Sequence, residues 1–203
     1  MDGAALVPET DWDDITQRLE GAAELGARGV VTLSFDPDAG RYFEGYCRLG
    51  ELTGKLGLLL IVEFTPLSSI PDLAAARALV ARGGFAHARV LVDAMHLFLS
   101  GGSPADMAGL GGDVISGAQF CDGPRQRTME EYRHDAVNWR DLPGEGEYPL
   151  EDFVRALPAG CPIALEIPRT ADRAAGALPM ERARRAIEAC RRMGAAAGME
   201  AGA

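Results

Sequence analysis

Five short aliphatic runs recur along the chain without the in–out alternation of a one-sided sheet. They are "GVVTLSF" (29–35), "LGLLLIVEF" (56–64), "ARVLVDAM" (88–95), "DVISGAQF" (113–120) and "PIALEI" (162–167). A strand that is apolar on both faces has to be covered on both faces, which is the condition of a parallel sheet flanked by helices. Most of the gaps between runs have helical spacing: "WDDITQRLEGAAELGA" (12–27), "YFEGYCRLGELTGKLG" (42–57) and "IPDLAAARALVARGG" (70–84), with "MERARRAIEACRRMGAAAG" (180–198) after the last run. Asp11 stands where the first helix needs an N-cap, and Gly26, Gly57 and Gly83 stand where helices need a C-terminal stop. Strand–helix–strand alternation predicts an α/β fold with a parallel sheet. A doubly wound sheet and a (β/α) barrel both satisfy it. The length, 203 residues, suits one domain over 1–203, with 1–11 and 196–203 expected to fray.

The carboxyl ends of the runs carry the chemistry. The second run ends in Glu63 and the third in Asp93, with His96 just beyond. The fourth ends in Gln119 with Asp122 just beyond, and the fifth in Glu166, while the first ends near Asp36 and Asp38. A lone acid at a strand end ordinarily caps the next helix or sits in solvent. In a parallel sheet, however, all these ends share one edge, the edge that carries active sites. Glu63 in "LLLIVEFTP" and Glu166 in "PIALEIP" have apolar residues on both sides, so their charges need a cation or a raised pKa. Glu63, Asp93, Gln119 and Glu166 together form an oxygen-rich set suited to one divalent cation such as Mg²⁺, Mn²⁺ or Co²⁺.

The segment 121–149, "CDGPRQRTMEEYRHDAVNWRDLPGEGEYP", breaks the rhythm by being long, polar and charged. Long loops after strands tend to be functional. Its glycine-rich part, "LPGEGEYPL" (142–150), matches neither G-x-x-x-x-G-K-[ST] nor G-x-G-x-x-G and reads as a turn shaping a pocket wall. Arg125, Arg127, Arg133 and Arg140 lie in the same region; Arg140, abutting the turn, is the best placed of them to face an anionic substrate. His87 and His134 lie in polar contexts and read as surface or loop residues. Net charge is −10, which argues against a phosphate-backbone partner. The four cysteines are widely spaced with no C-x-x-C and read as reduced thiols. The start, "MDGAALVPETDWDD", has no basic stretch leading into an apolar one, and no run is long enough to span a bilayer. The expectation is a cytoplasmic protein with no membrane partner.

Three segments carry a family resemblance: "VLVDAMHLFLSGGSPADMAGL", "AQFCDGP" followed by "WRDLPGEGEYPLEDFVRAL", and "ALEIP". With its Asp-x-x-His pair and its P-G-E-G-E turn before a helix, the chain resembles the sugar phosphate isomerase/epimerase family, the xylose-isomerase-like TIM barrels. The resemblance implies one divalent metal on Glu63, Asp93, Gln119 and Glu166, with Glu63, Glu166 and His96 catalytic. It places His96 beside a sugar or polyol ketone, and Asp122 and Arg140 are expected from their positions in the chain to contact the same substrate. The implied reaction is isomerisation or epimerisation by proton transfer next to a carbonyl, through a metal-stabilised enediolate. Gln119 stands where sugar epimerases of the family usually have His, and Gln occurs there in members resembling 3-dehydroshikimate dehydratases. A lyase acting on 3-dehydroshikimate or an inosose is therefore the alternative, and an inactive truncated barrel a second. A full barrel needs about eight strands. The resemblance implies a partial barrel of about five parallel strands with outer helices, lacking the N-terminal strands. Its unpaired edges are expected to drive homo-oligomer formation.

Overall fold

The strands of the described residues pair in parallel. A computed structural model describes residues 3–196, and within them six strands form one sheet in sequence order: β1 (Gly3–Leu6), β2 (Gly29–Ser34), β3 (Leu59–Glu63), β4 (Ala88–Asp93), β5 (Ile115–Phe120) and β6 (Ile163–Leu165). Among the described residues, β1 and β6 each have a strand neighbour on one side only. The helices are α1 (Trp12–Glu24), α2 (Ala39–Leu56), α3 (Leu73–Gly83), α4 (Ala94–Leu99), α5 (Met129–Asn138), α6 (Leu150–Ala156), α7 (Thr170–Ala174) and α8 (Pro179–Ala196). None of the described helices is long and apolar enough to cross a membrane.

The α/β class is as expected, and the five runs became β2 to β6. The strand count is corrected from five to six, because β1 forms inside the stretch 1–11 that was expected to fray. "GAAL" holds too few branched residues to stand out as a run. Its pairing is supplied by β2, in register from Gly3↔Val31 to Leu6↔Ser34, and the Thr32 hydroxyl donates to the Ala4 carbonyl at 2.7 Å. At the other end Ala196 closes α8; residues 197–203, the rest of the segment expected to fray, lie outside the described residues, as do residues 1 and 2.

The chain divides into two compact units, Met1–Val92 with Gly112–Ser116, and Asp93–Gly111 with Gly117–Ala203. In the first, alternate residues of the strands face opposite ways. Val30, Leu60, Val62, Val90 and Val92 are essentially without exposed surface. Val31, Ile61 and Leu91 cluster on the other face. Each such side chain contributes roughly 1.5–3 kcal/mol of burial, so the run without alternation is a direct consequence of two covered faces. Asp11 caps α1 by accepting from the Asp13 and Asp14 amides. Gly57 ends α2 in the left-handed region at φ 70°. For α3 the left-handed stop is Gly84, at φ 69°, one residue later than expected. Gly83 instead is small because a Cβ there would overlap the Tyr46 ring.

In the second unit β5 and β6 pair from Ala118↔Ile163 to Phe120↔Leu165. Phe98, Phe120, Tyr148 and Phe153 form an aromatic core, with Phe98 and Tyr148 ring centres 4.9 Å apart. The segment 121–149 is not a bare loop. It contains α5, started by a capping box in which Thr128 and Glu131 satisfy each other's backbone amides.

Candidate functional site

Strand parity decides where the acids point. In the first unit Glu63 is the last residue of β3 and pairs with Leu91. It therefore shares the face of Ile61 and Leu91, not the helix-covered face of Leu60 and Val62. Asp93, two residues beyond Leu91, continues that parity along β4. In the second unit Gln119 pairs with Ala164, and Glu166 is two residues past Ala164, so Gln119 and Glu166 share a face.

Asp93 has no exposed surface, and both its oxygens accept hydrogen bonds. It is the N-cap of α4, where Oδ1 takes the His96 amide at 3.0 Å. Oδ2 takes Nη1 of Arg140 at 2.7 Å. The Arg140 side chain is 2% exposed, and its Nη1 also lies 3.5 Å from Glu166 Oε2 and 3.7 Å from Cys121 Sγ. One buried guanidinium thus stands against two of the expected ligands. Burial works to raise the Asp93 pKa, but the charges of His96 and Arg140 and the hydrogen bonds from both outweigh it and hold the carboxyl below its usual range. Burial, helped by Arg140 and opposed by Asp93, lowers the His96 pKa.

Glu166 behaves differently. Its side chain is 38% exposed as a whole, yet Oε2 is buried and accepts no hydrogen bond among the described residues. Burial first, then the Asp93 charge, push its pKa up to about 7, with Arg140 opposing. Among the described residues Gln119 Oε1 is likewise buried and accepts no hydrogen bond, and the Nε of Arg140 is buried with no acceptor. A buried acceptor left unmade costs about 1–3 kcal/mol, so the Gln119 oxygen fits a cation that would accept its lone pair, while Glu166 Oε2 has the Arg140 guanidinium at ion-pair distance. Within the second unit Asp93 and His96 are candidate metal ligands, and within the first unit Glu63 is one; His96 was expected beside the substrate.

His96 is 6% exposed, and its Nδ1 shares a 2.7 Å hydrogen bond with the Tyr132 hydroxyl. Tyr132 was missed in the sequence. An aromatic residue in the largely polar helix "MEEYRHDAVN" was the only available signal, and it is the buried residue of that helix.

Two expected substrate contacts have other partners. Asp122 is 3% exposed. Its Oδ1 accepts from the Gly123 and Tyr148 amides, and its Oδ2 from the Gly144 amide. The carboxylate staples the glycine-rich turn. Arg140 faces Asp93, not open space. Of the remaining loop arginines, Arg125 binds Glu147 and Arg127 binds Asp135. In the first unit, a hollow of about 230 Å³ is lined by Trp12, Asp36, Arg41 and Arg48 among others, and by none of the expected ligands.

No family model and no curated protein matches the chain in sequence. Solved structures do match in fold. A xylose isomerase domain protein from Alicyclobacillus acidocaldarius superposes with a TM-score of 0.71 at 26% identity, over 96% of this chain and 78% of that one. An IolI protein with a bound zinc atom gives a TM-score of 0.76 at 16% identity, over 95% of this chain and 74% of that one. A xylose isomerase-like TIM barrel/4-hydroxyphenylpyruvate dioxygenase fusion protein gives 0.74 at 22% identity, over 87% of this chain, which spans only 29% of the fusion. Sugar epimerases and a probable dehydratase are among the other matches. The chain has the fold of xylose isomerase-like TIM barrel proteins, in an open six-strand form.

Proposed function

We propose that the chain binds one divalent cation through Glu63, Asp93, Gln119 and Glu166 and isomerises or epimerises a small sugar or polyol ketone. The observation that carries this reading is the buried Gln119 Oε1, which accepts no hydrogen bond among the described residues and shares a face with Glu166 at the carboxyl ends of β5 and β6. The candidate ligand residues Glu63, Asp93 and His96 support it, as does the zinc in the IolI structure. Carboxylate, amide and imidazole donors suit Mg²⁺, Mn²⁺, Co²⁺ or Zn²⁺. When bound, the cation supplies electrophilic stabilisation to the oxygen of an enediolate. The protein's own groups do the rest. Glu166, on one face with Gln119, takes a proton from the carbon beside the carbonyl and returns it. Glu63 is the second candidate for proton transfer. His96, held by Tyr132, hydrogen-bonds the substrate carbonyl or a hydroxyl. We extend the proposal to a homo-oligomer on the strength of the unpaired outer sides of β1 and β6.

The test is Mn²⁺ binding by the full chain, followed by substrate screening in D₂O. The wild type is expected to bind one equivalent, with Glu63→Gln and Asp93→Asn each weakening it by tenfold or more. Unchanged affinity in both variants would refute the ligand assignment. Gln119 favours a second reading, a dehydratase, because an amide stands at the third ligand place. Solvent deuterium entering recovered sugar supports the isomerase; loss of water from a 3-dehydroshikimate-type acid supports the lyase.

A further inference from the structure

We propose that Arg140 is a built-in counter-cation of this acidic site, holding Asp93 and Glu166 in place before metal arrives and setting how tightly metal binds. The inference rests on the metal-site reading above. Its basis is geometric. Nη1 lies 2.7 Å from Asp93 Oδ2 and 3.5 Å from Glu166 Oε2, and the side chain is 2% exposed. The same residue is tethered by Nη2 to the Ala136 carbonyl at 3.1 Å, and its own amide donates to the Pro168 carbonyl at 3.0 Å. The guanidinium is fixed at both ends and cannot swing into water. A cation bonded to Asp93 Oδ2 would share that oxygen with the guanidinium, a few ångströms away. Two like charges so close inside a dry site repel strongly enough to change an affinity by about tenfold or more. Without Arg140, the buried Asp93 carboxylate would face the half-buried Glu166 with no cation between them, which proteins avoid. Arg140 therefore does two opposed things: it lets the metal-free chain fold, and it weakens the metal site. It is a positioning residue, acting through Asp93 and Glu166.

The experiment measures Mn²⁺ affinity of the full-length wild type, Arg140→Met and Arg140→Lys by the paramagnetic resonance of free Mn²⁺, with folding monitored by circular dichroism. Arg140→Met is expected to bind Mn²⁺ about tenfold more tightly than the wild type, and Arg140→Lys, which keeps the charge, to stay near it. An Arg140→Met variant that is unfolded alone but folds when Mn²⁺ is added also supports the proposal, since the metal then replaces the missing charge. Wild-type binding with equal or weaker binding by a folded Arg140→Met overturns the inference and leaves the metal site standing. Binding by none of the three proteins overturns both. Arg140→Met unfolded with and without Mn²⁺, while Arg140→Lys folds, shows a packing role and overturns the inference alone.

Discussion

Two aspartates near strand ends have nearly the same contacts and opposite circumstances. Asp36, two residues past β2, is 1% exposed and takes both Nε and Nη2 of Arg41 at 2.5 and 2.7 Å. Asp93, at the end of β4, is fully buried and takes Nη1 of Arg140 at 2.7 Å. Each carboxyl is held below its usual pKa range, Asp36 chiefly by the Arg41 hydrogen bond against some burial, Asp93 by its partners against a burial that is the largest influence on it. The difference lies in the arginines. Arg41 is five residues away in the chain, and its side chain is 50% exposed. It covers Asp36 from the solvent side, so water can replace either partner. Arg140 comes from 47 residues away, is 2% exposed, and touches a second carboxylate. The first pair closes a loop. The second concentrates charge around an aspartate and a guanidinium that water hardly reaches, which is what a site of chemistry needs.

The sharpest way to break that comparison is to remove each aspartate. Asp93→Ala leaves a buried guanidinium without its main partner and should cost about 3–5 kcal/mol of stability. Asp36→Ala leaves Arg41 free to turn to water and should cost clearly less. Urea denaturation of both variants reads the difference, and equal losses would show that burial of the arginine is not what separates the two pairs.

A third aspartate sharpens the comparison from another side. Asp122 has no cation in hydrogen-bond contact and is satisfied by three backbone amides, two of them on the turn 142–148. Gly146 packs so close that a Cβ there would overlap the Asp122 carboxylate and the Gly123 amide. Gly146→Ala should cost about 1–3 kcal/mol through overpacking, with Asp122 displaced from the turn. A variant as stable as the wild type, by thermal melting, would mean that the turn is slack and Asp122 is available for other work.

How much of this was legible in the sequence follows from how local each cause is. The strands β3 and β4 announce themselves because a doubly covered strand has to be apolar, and the Asp11 cap and the Gly57 stop depend on neighbours a few residues away. β1 was hidden because its stability comes from pairing with β2, not from its own four residues. The acids at the strand ends were legible by position, since parallel strands place their carboxyl ends on one edge. Their partners were not. That Arg140 would face Asp93 and not a substrate depends on where a long segment with its own helix folds back. The same is true of Tyr132 reaching His96, 36 residues away.

That histidine gives the smallest and most local test. Asp36 has no imidazole in its site; Asp93 has one, three residues on, whose amide it caps and whose Nδ1 lies 3.7 Å from its Oδ1. If the region around Asp93 is built for chemistry, the ring must be held in one orientation, and the 2.7 Å bond from Tyr132 is the contact that does so from α5. Tyr132→Phe keeps the ring packing, whose centres are 5.9 Å apart, and deletes only the hydroxyl. The stability loss should be about 1 kcal/mol, the worth of one hydrogen bond. Turnover should fall by more than that loss of stability explains, through kcat and not KM, with Mn²⁺ affinity kept, because a loosened imidazole meets the substrate oxygen less often. If instead Mn²⁺ affinity falls along with turnover, His96 holds the metal itself, and Gln119 loses its place as the third ligand.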